Sequence, residues 1–177
     1  MELFVFDLDF TLWNAGDTFC SETSPPYTWN NDRLTDQRGR WIRLYDDTPV
    51  VLEYLKNQQK KMALASRTHA PEWANELLDI FQLSDYFLYK ETYPGSKIAH
   101  FNKLQQHTSI PYHKMAFFDD ELRNIEEVST LGVRCFHVVD GIKAWQVIDH
   151  IYPPDGMMSG QFPHQPGNSP LSQERQE

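Results

Sequence analysis

The chain has 177 residues, 40% of them hydrophobic, and a net charge of −9. That length fits one domain with a real core. No apolar run approaches the ~20 residues of a membrane span, and the acidic balance argues against wholesale binding to nucleic acid or anionic lipid. Two cysteines, Cys20 and Cys135, are too few for a disulfide framework and lack metal-site spacing. With no basic segment or cleavage signal ahead of "MELFVFDLD", the expected compartment is the cytoplasm.

Along the chain, apolar strand patterns alternate with helical ones. The first strand is expected at 3–8, ending in two aspartates, Asp7 and Asp9, followed by Thr11. Residues two apart in a strand share a face, so these carboxylates would repel unless the strand ends between them or a cation lies there. Residues 14–45 are polar and turn-rich, too long for an ordinary strand–helix loop, and read as a flap insertion above that strand end. A helix follows at 49–59, with Pro49 as a first helical residue, then a strand at 61–66 and a helix at 71–81 opened by Pro71. Next come a strand at 86–91 and a helix at 97–107, for which Ser96 is the N-cap. A strand at 114–119, a helix at 121–131 closed by Gly132, and a strand at 134–139 complete the body. The domain is expected over 1–151. The tail, 152–177, is rich in Pro, Gly, Ser and Gln and reads as disordered.

Strands that are apolar throughout and separated by helices imply a parallel sheet covered on both faces. The expected class is α/β, a three-layer doubly wound parallel sheet with a small flap and no large cap domain, since 68–96 is consumed by one helix and one strand. In such a sheet ligands bind at the carboxyl ends of the strands. Those ends supply Asp7 and Asp9, then Ser66, Arg67 and Thr68, then Lys97, then Asp119 and Asp120 with Asn124 one turn on. Carboxylates from the first and fourth ends can share a hard cation, and Mg²⁺ takes oxygen ligands while keeping waters. One aspartate can be a nucleophile that forms an aspartyl-phosphate, and the other can protonate the leaving oxygen and then activate water. Ser66 and Lys97 can hold phosphoryl oxygens. Phosphoryl transfer uses every member of the set.

At these residues the chain resembles a known family. "DLDFT", Ser66, Lys97 and Asp119-Asp120 match, in order, the four motifs of the haloacid dehalogenase superfamily. "FDLDFTLW", "ASRT", "YPGSKIAHFNKLQ" and "FFDDELRNI" are similar to its eukaryotic-type magnesium-dependent phosphatases, the magnesium-dependent phosphatase 1 family, from about residue 3 to 141. The resemblance implies Asp7 as nucleophile and Mg²⁺ ligand, and Asp9 as general acid/base that lends its backbone carbonyl to the metal. Ser66 and Arg67 would bind phosphate or substrate, and Lys97 the phosphoryl group and Asp7. Either residue of the fourth pair can ligate the metal; Asp120 is preferred, with Asp119 behind it. His69 and Asp46 depart from the family pattern, and the flap sequence is the chain's own.

The activity implied is Mg²⁺-dependent phosphomonoester hydrolysis, on phosphotyrosine proteins or peptides or on phosphorylated sugars such as fructosamine phosphates. A phosphotransferase or acyl-transfer-linked enzyme, or a phosphate-binding module without turnover, are the alternatives. Expected partners are a phosphorylated small molecule or phosphoprotein, with no nucleic acid or membrane, and a monomer is favoured. His69 is read as a helix-start residue, His137 as a satisfied core histidine, and the cysteines as inert packing. Of the flap aromatics Trp13, Tyr27, Trp29 and Trp41, most are expected to pack the flap onto the body.

Overall fold

A computed structural model describes residues 1–151. The expected tail, 152–177, lies outside the described residues. Among these the strands are β1 (Leu3–Phe6), β2 (Trp13–Asn14), β3 (Thr28–Asn30), β4 (Arg33–Thr35), β5 (Trp41–Leu44), β6 (Lys61–Ser66), β7 (Tyr89–Thr92), β8 (Met115–Asp119) and β9 (Arg134–His137). The helices are α1 (Asp47–Asn57), α2 (Pro71–Ile80), α3 (Lys97–Thr108), α4 (Leu122–Ser129) and α5 (Ala144–Ile151). None is long and apolar enough to cross a membrane.

Five strands form a parallel sheet in the order β7-β6-β1-β8-β9. Alternation along β1 assigns its two faces. Phe4 and Phe6 pack on one side with Leu52, Leu55, Leu77 and Leu78 from α1 and α2 and Val147 from α5. Leu3 and Val5 pack on the other with Phe101, Leu104 and Val128 from α3 and α4. The three-layer architecture is therefore as the apolar runs require. Each fully buried Phe or Leu in these layers contributes about 1.5–3 kcal/mol of transfer free energy. Phe6 stacks on Phe118 with ring centroids 5.2 Å apart, locking the two central strands together.

The chain leaves β1 to build β6 and β7 on one side, then crosses to β8 on the other. The switch point thus lies around β1, where a doubly wound sheet opens a crevice at its carboxyl edge. Phe6 lies opposite both Leu64 and Phe118, so Asp7, Ala65 and Asp119 come next along three adjacent strands.

Several boundaries move. β1 ends at Phe6 instead of residue 8, because Leu8 turns the chain: its carbonyl accepts from the amides of Thr11, Leu12 and Trp13, and Phe10 takes a left-handed φ of 56°. β7 starts at Tyr89, the preceding Ser84–Tyr86 forming a 3₁₀ turn. β9 stops at His137, short of residue 139. α1 begins at Asp47, so Pro49 is its third residue. That costs nothing, since the first turn has no intrahelical acceptor for its amides. Two contacts set the earlier start: Thr48 donates its hydroxyl to the Leu12 carbonyl at 2.8 Å, and the Asp47 carboxylate accepts from the Ala144 amide at 2.9 Å. Pro71 does open α2, and Ser96 caps α3 by accepting the Ile98 amide at 3.1 Å. α4 runs only from Leu122 to Ser129, with Thr130 as its C-cap, so Gly132, at φ +84° with its amide on the Ser129 carbonyl, closes the turn after the helix and not the helix itself. α5 was not anticipated.

The flap is also more ordered than its composition implies. It folds as an antiparallel sheet in the order β2-β5-β4-β3, with a 3₁₀ turn at Cys20–Glu22. Asp36 organises one loop, accepting amides from Ser24, Arg38 and Arg40 at 2.9 Å each. Trp13 and Tyr27 are buried, whereas Trp29 and Trp41 are 54% and 37% exposed. Trp29 nevertheless meets Phe81 of the body edge-on, with ring centroids 6.1 Å apart, so the expectation that most flap aromatics pack holds for all but Trp41. At its far end the flap is pinned by Tyr45, whose ring lies against Gly141 where no side chain would fit.

Candidate active site

Lys97, the first residue of α3, is fully buried beneath the carboxyl edge of the sheet. Its Nζ lies 2.6 Å from Asp7 Oδ1 and 2.9 Å from Asp119 Oδ2, and also donates to the Ala65 carbonyl. One ammonium thus joins the ends of β1, β6 and β8. Burial alone would lower the Lys97 pKa, but the two carboxylates outweigh it and hold it above its ordinary value. Burial pushes Asp7 well above the usual carboxylate range, against Lys97, and Asp119 adds to the rise.

Asp119 is completely buried. Besides Lys97 it accepts the Glu121 amide at 2.8 Å and the Asn124 amide nitrogen at 3.0 and 3.1 Å. Asn124 in turn accepts from Arg67 at 3.2 Å. Arg67 is therefore held by an amide carbonyl, with the Glu121 carboxylate close enough to feel its charge. Asn124 was seen in the sequence as a neighbour of the fourth strand end but given no role; its offset of five residues from Asp119, one helical turn on, was the available signal. Asp120 is half-buried, and its carbonyl lies 2.8 Å from His137 Nε2. Burial and the neighbouring Asp119 push its carboxyl up to about 6. His137 is satisfied as expected, but it is only half-buried.

Asp9 sits apart from the ammonium. Its Oδ1 accepts the Trp13 indole N–H at 2.8 Å and the Cys20 amide at 2.8 Å. Burial raises its pKa, and those donors pull the other way. Ser66 is buried at the end of β6, with the Thr68 amide 3.4 Å from its Oγ. Asp7, Asp9, Ser66, Arg67 and Lys97 all line one cavity of about 290 Å³, joined by Phe19 and Glu22 from the flap and by the exposed His69. Asp119 and Asp120 are not in its wall; Asp119 reaches it through Lys97. A larger groove of about 670 Å³ lies between Trp29, Trp41 and Phe81. It shares no residue with the carboxylate cavity and holds no paired carboxylates, so the smaller cavity is the candidate site.

Asp7 and Asp119 thus flank a single buried ammonium, with Asp9 elsewhere on the same cavity and Asp120 next in sequence to Asp119. Among the described residues no three His, Cys, Asp or Glu side chains form a ready-made metal cage. The donor set is nevertheless all oxygen, carries excess negative charge and is incomplete. Those features suit a hard divalent cation that retains waters and takes few protein ligands. The Cys20 thiol is buried and raised by desolvation, and burial pushes Cys135 up to about 12, so neither is an activated nucleophile.

Comparison with known proteins agrees with this geometry. The model of the Acid Phosphatase family matches residues 1–152. Magnesium-dependent phosphatase 1 of Homo sapiens is 49% identical over 144 residues, covering 80% of this chain and 80% of that one. A HAD-like hydrolase superfamily protein of Schizosaccharomyces pombe is 37% identical over 139 residues, covering 73% and 80%. Among solved structures, a haloacid dehalogenase-like hydrolase from Streptococcus pneumoniae shares the fold at a TM-score of 0.63 and 11% identity, over 86% of this chain and 99% of its own. With the family model spanning the whole described body and the carboxylate edge in place, the chain belongs to the acid phosphatase family, among the haloacid dehalogenase-like hydrolases.

Proposed function

We propose that the protein is a magnesium-dependent phosphomonoesterase that works through an aspartyl-phosphate on Asp7. The observation that carries this reading is Lys97 bridging Asp7 and Asp119 in the wall of the carboxylate cavity. Mg²⁺ would rest on Asp7, the Asp9 carbonyl and Asp120, with Asp119 behind, and would supply neutralisation of the carboxylate excess and of phosphoryl charge. Asp7 attacks phosphorus as the bond to the leaving oxygen breaks. Lys97, Ser66 and Arg67 hold the phosphoryl oxygens and the charge that develops on them. Asp9 gives its proton to the leaving oxygen, then takes one from the water that attacks the phosphoryl group and frees Asp7.

Substrate choice follows from what covers the cavity. α2 and β7 use up the segment where a cap could be inserted, so only the flap shades the site. Phe19, 44% exposed at the flap's edge, offers an aromatic surface to the leaving group. Both features suit a phosphotyrosine-bearing protein or peptide, or a phosphorylated sugar such as a fructosamine phosphate. A thiol-dependent acyl-transfer reading finds no support in the raised thiols.

The test is hydrolysis of a small aryl phosphate with Mg²⁺, with EDTA, and by Asp7→Asn. Activity should vanish with chelation, return with added Mg²⁺, and fall on the order of 10⁴-fold in the variant. Turnover that persists in EDTA or in Asp7→Asn contradicts the mechanism. Tight phosphate binding without turnover replaces it with a binding module.

A further inference from the structure

The root of the flap holds Asp9 in a way nothing else in the cavity is held. No ion pair reaches Asp9 among the described residues; the ammonium of Lys97 serves Asp7 and Asp119 instead. Neutral donors do the work: two N–H groups converge on Oδ1 at 2.8 Å, and the Cys20 thiol beside them adds a weaker contact. The Trp13 indole arrives by the turn that ends β1, in which the Leu8 carbonyl collects three amides and folds residue 13 back beneath residue 9. The Cys20 amide belongs to the first residue of the flap's 3₁₀ turn, where amides lack intrahelical acceptors and are free to bond outward. Trp13 is fully buried and packs against Phe81, so its indole is fixed in place.

We propose that Trp13 and the Cys20 amide form a two-donor seat that makes the flap root a positioning element for proton transfer, aiming Asp9 Oδ2 at the leaving oxygen. An oxygen already accepting two N–H donors is a poor place for a proton, so the mobile proton belongs to Oδ2. Neutral donors orient the carboxyl without demanding that it stay an anion, as an ammonium would. The seat thus differs in kind from the Lys97 contact that keeps Asp7 a nucleophile. It rests on the reading of Asp9 as the acid/base.

Leaving-group dependence tests the seat, because a misplaced acid harms a poor leaving group more than a good one. kcat/KM, which reports on the step that expels the leaving group, is measured for phenyl phosphate and for 4-nitrophenyl phosphate, two substrates of similar shape. Trp13→Phe removes the indole donor. Site-specific replacement of Trp13 by benzothienylalanine removes it while preserving the ring volume, should Trp13→Phe fold poorly. Both should lower kcat/KM about fivefold further for phenyl phosphate than for 4-nitrophenyl phosphate. A parallel fall on both substrates, or no fall, in the benzothienyl protein overturns the seat. Asp9→Asn is the reference. If it lacks the same bias, Asp9 is not the acid and the reading beneath fails. If it shows the bias and the Trp13 variants do not, only the seat fails.

Discussion

The carboxyl edge of the parallel sheet and the flap above it hold their functional groups by opposite means. At the edge, Asp7, Asp119 and Lys97 are fixed by charge, within a body whose strands are apolar on both faces. In the flap, strands of two to four residues leave Trp29 and Trp41 partly in solvent, and Trp13 and Cys20 at its root hold Asp9 through neutral hydrogen bonds. A rigid charged edge suits the phosphoryl group, which any substrate shares. A thin, loosely buried cover suits the variable remainder of the substrate. Two aspartates two residues apart belong to these two regimes, one to each.

Breaking the edge should cost the most. Lys97→Met leaves Asp7 and Asp119 buried without their cation, a loss of about 3–5 kcal/mol, seen as a large fall in the denaturation midpoint together with loss of turnover. A variant as stable as the parent would show that the bridge does not carry the edge. The flap should break locally. Leu34 is fully buried on β4 among flap and body side chains, and Leu34→Ala removes about 2–4 kcal/mol. Amide exchange should rise over 28–44 while the amides of β6 and β8 stay protected. Uniform loss of protection would mean that flap and sheet unfold together.

The smallest effect sharpens how the edge is buried. His100, one turn beyond Lys97 in α3, is fully buried, with Nε2 3.0 Å from the Tyr93 carbonyl and no partner for Nδ1 among the described residues. Burial, with Lys97 close by, pushes its pKa down to about 4 from an ordinary 6.5. The unfolded chain therefore binds a proton that the folded chain refuses, and stability falls as pH drops from 6.5 towards 4. His100→Gln should flatten that limb by on the order of 1–2 kcal/mol. Denaturant titrations at several pH values will show an unchanged slope if His100 is not the group responsible.

What was legible in the sequence was the part that burial writes. β6 lies over its expected residues because both its faces are covered, and Ser66, Lys97 and the paired aspartates could be placed from strand ends alone. The flap sheet was illegible because its strands are too short for alternation to register and half its surface is wet. α5 was passed over because its eight residues follow directly on the turn at Asp140 and Gly141. Trp13 could be read only as an aromatic that packs. Its bond to Asp9 depends on a left-handed Phe10 that no residue type announces. Local pattern thus reported which side chains gather at the carboxyl edge, and three-dimensional closure decided what holds them.

The most direct test of the account asks where the phosphoryl group goes. Protein mixed with substrate and Mg²⁺ is quenched within a turnover, reduced with borohydride, and its peptides are sequenced by mass spectrometry. An aspartyl-phosphate is reduced to homoserine, and the account predicts that conversion at position 7, dependent on substrate. Homoserine at another aspartate, or none while phosphate is released in a burst, would contradict it.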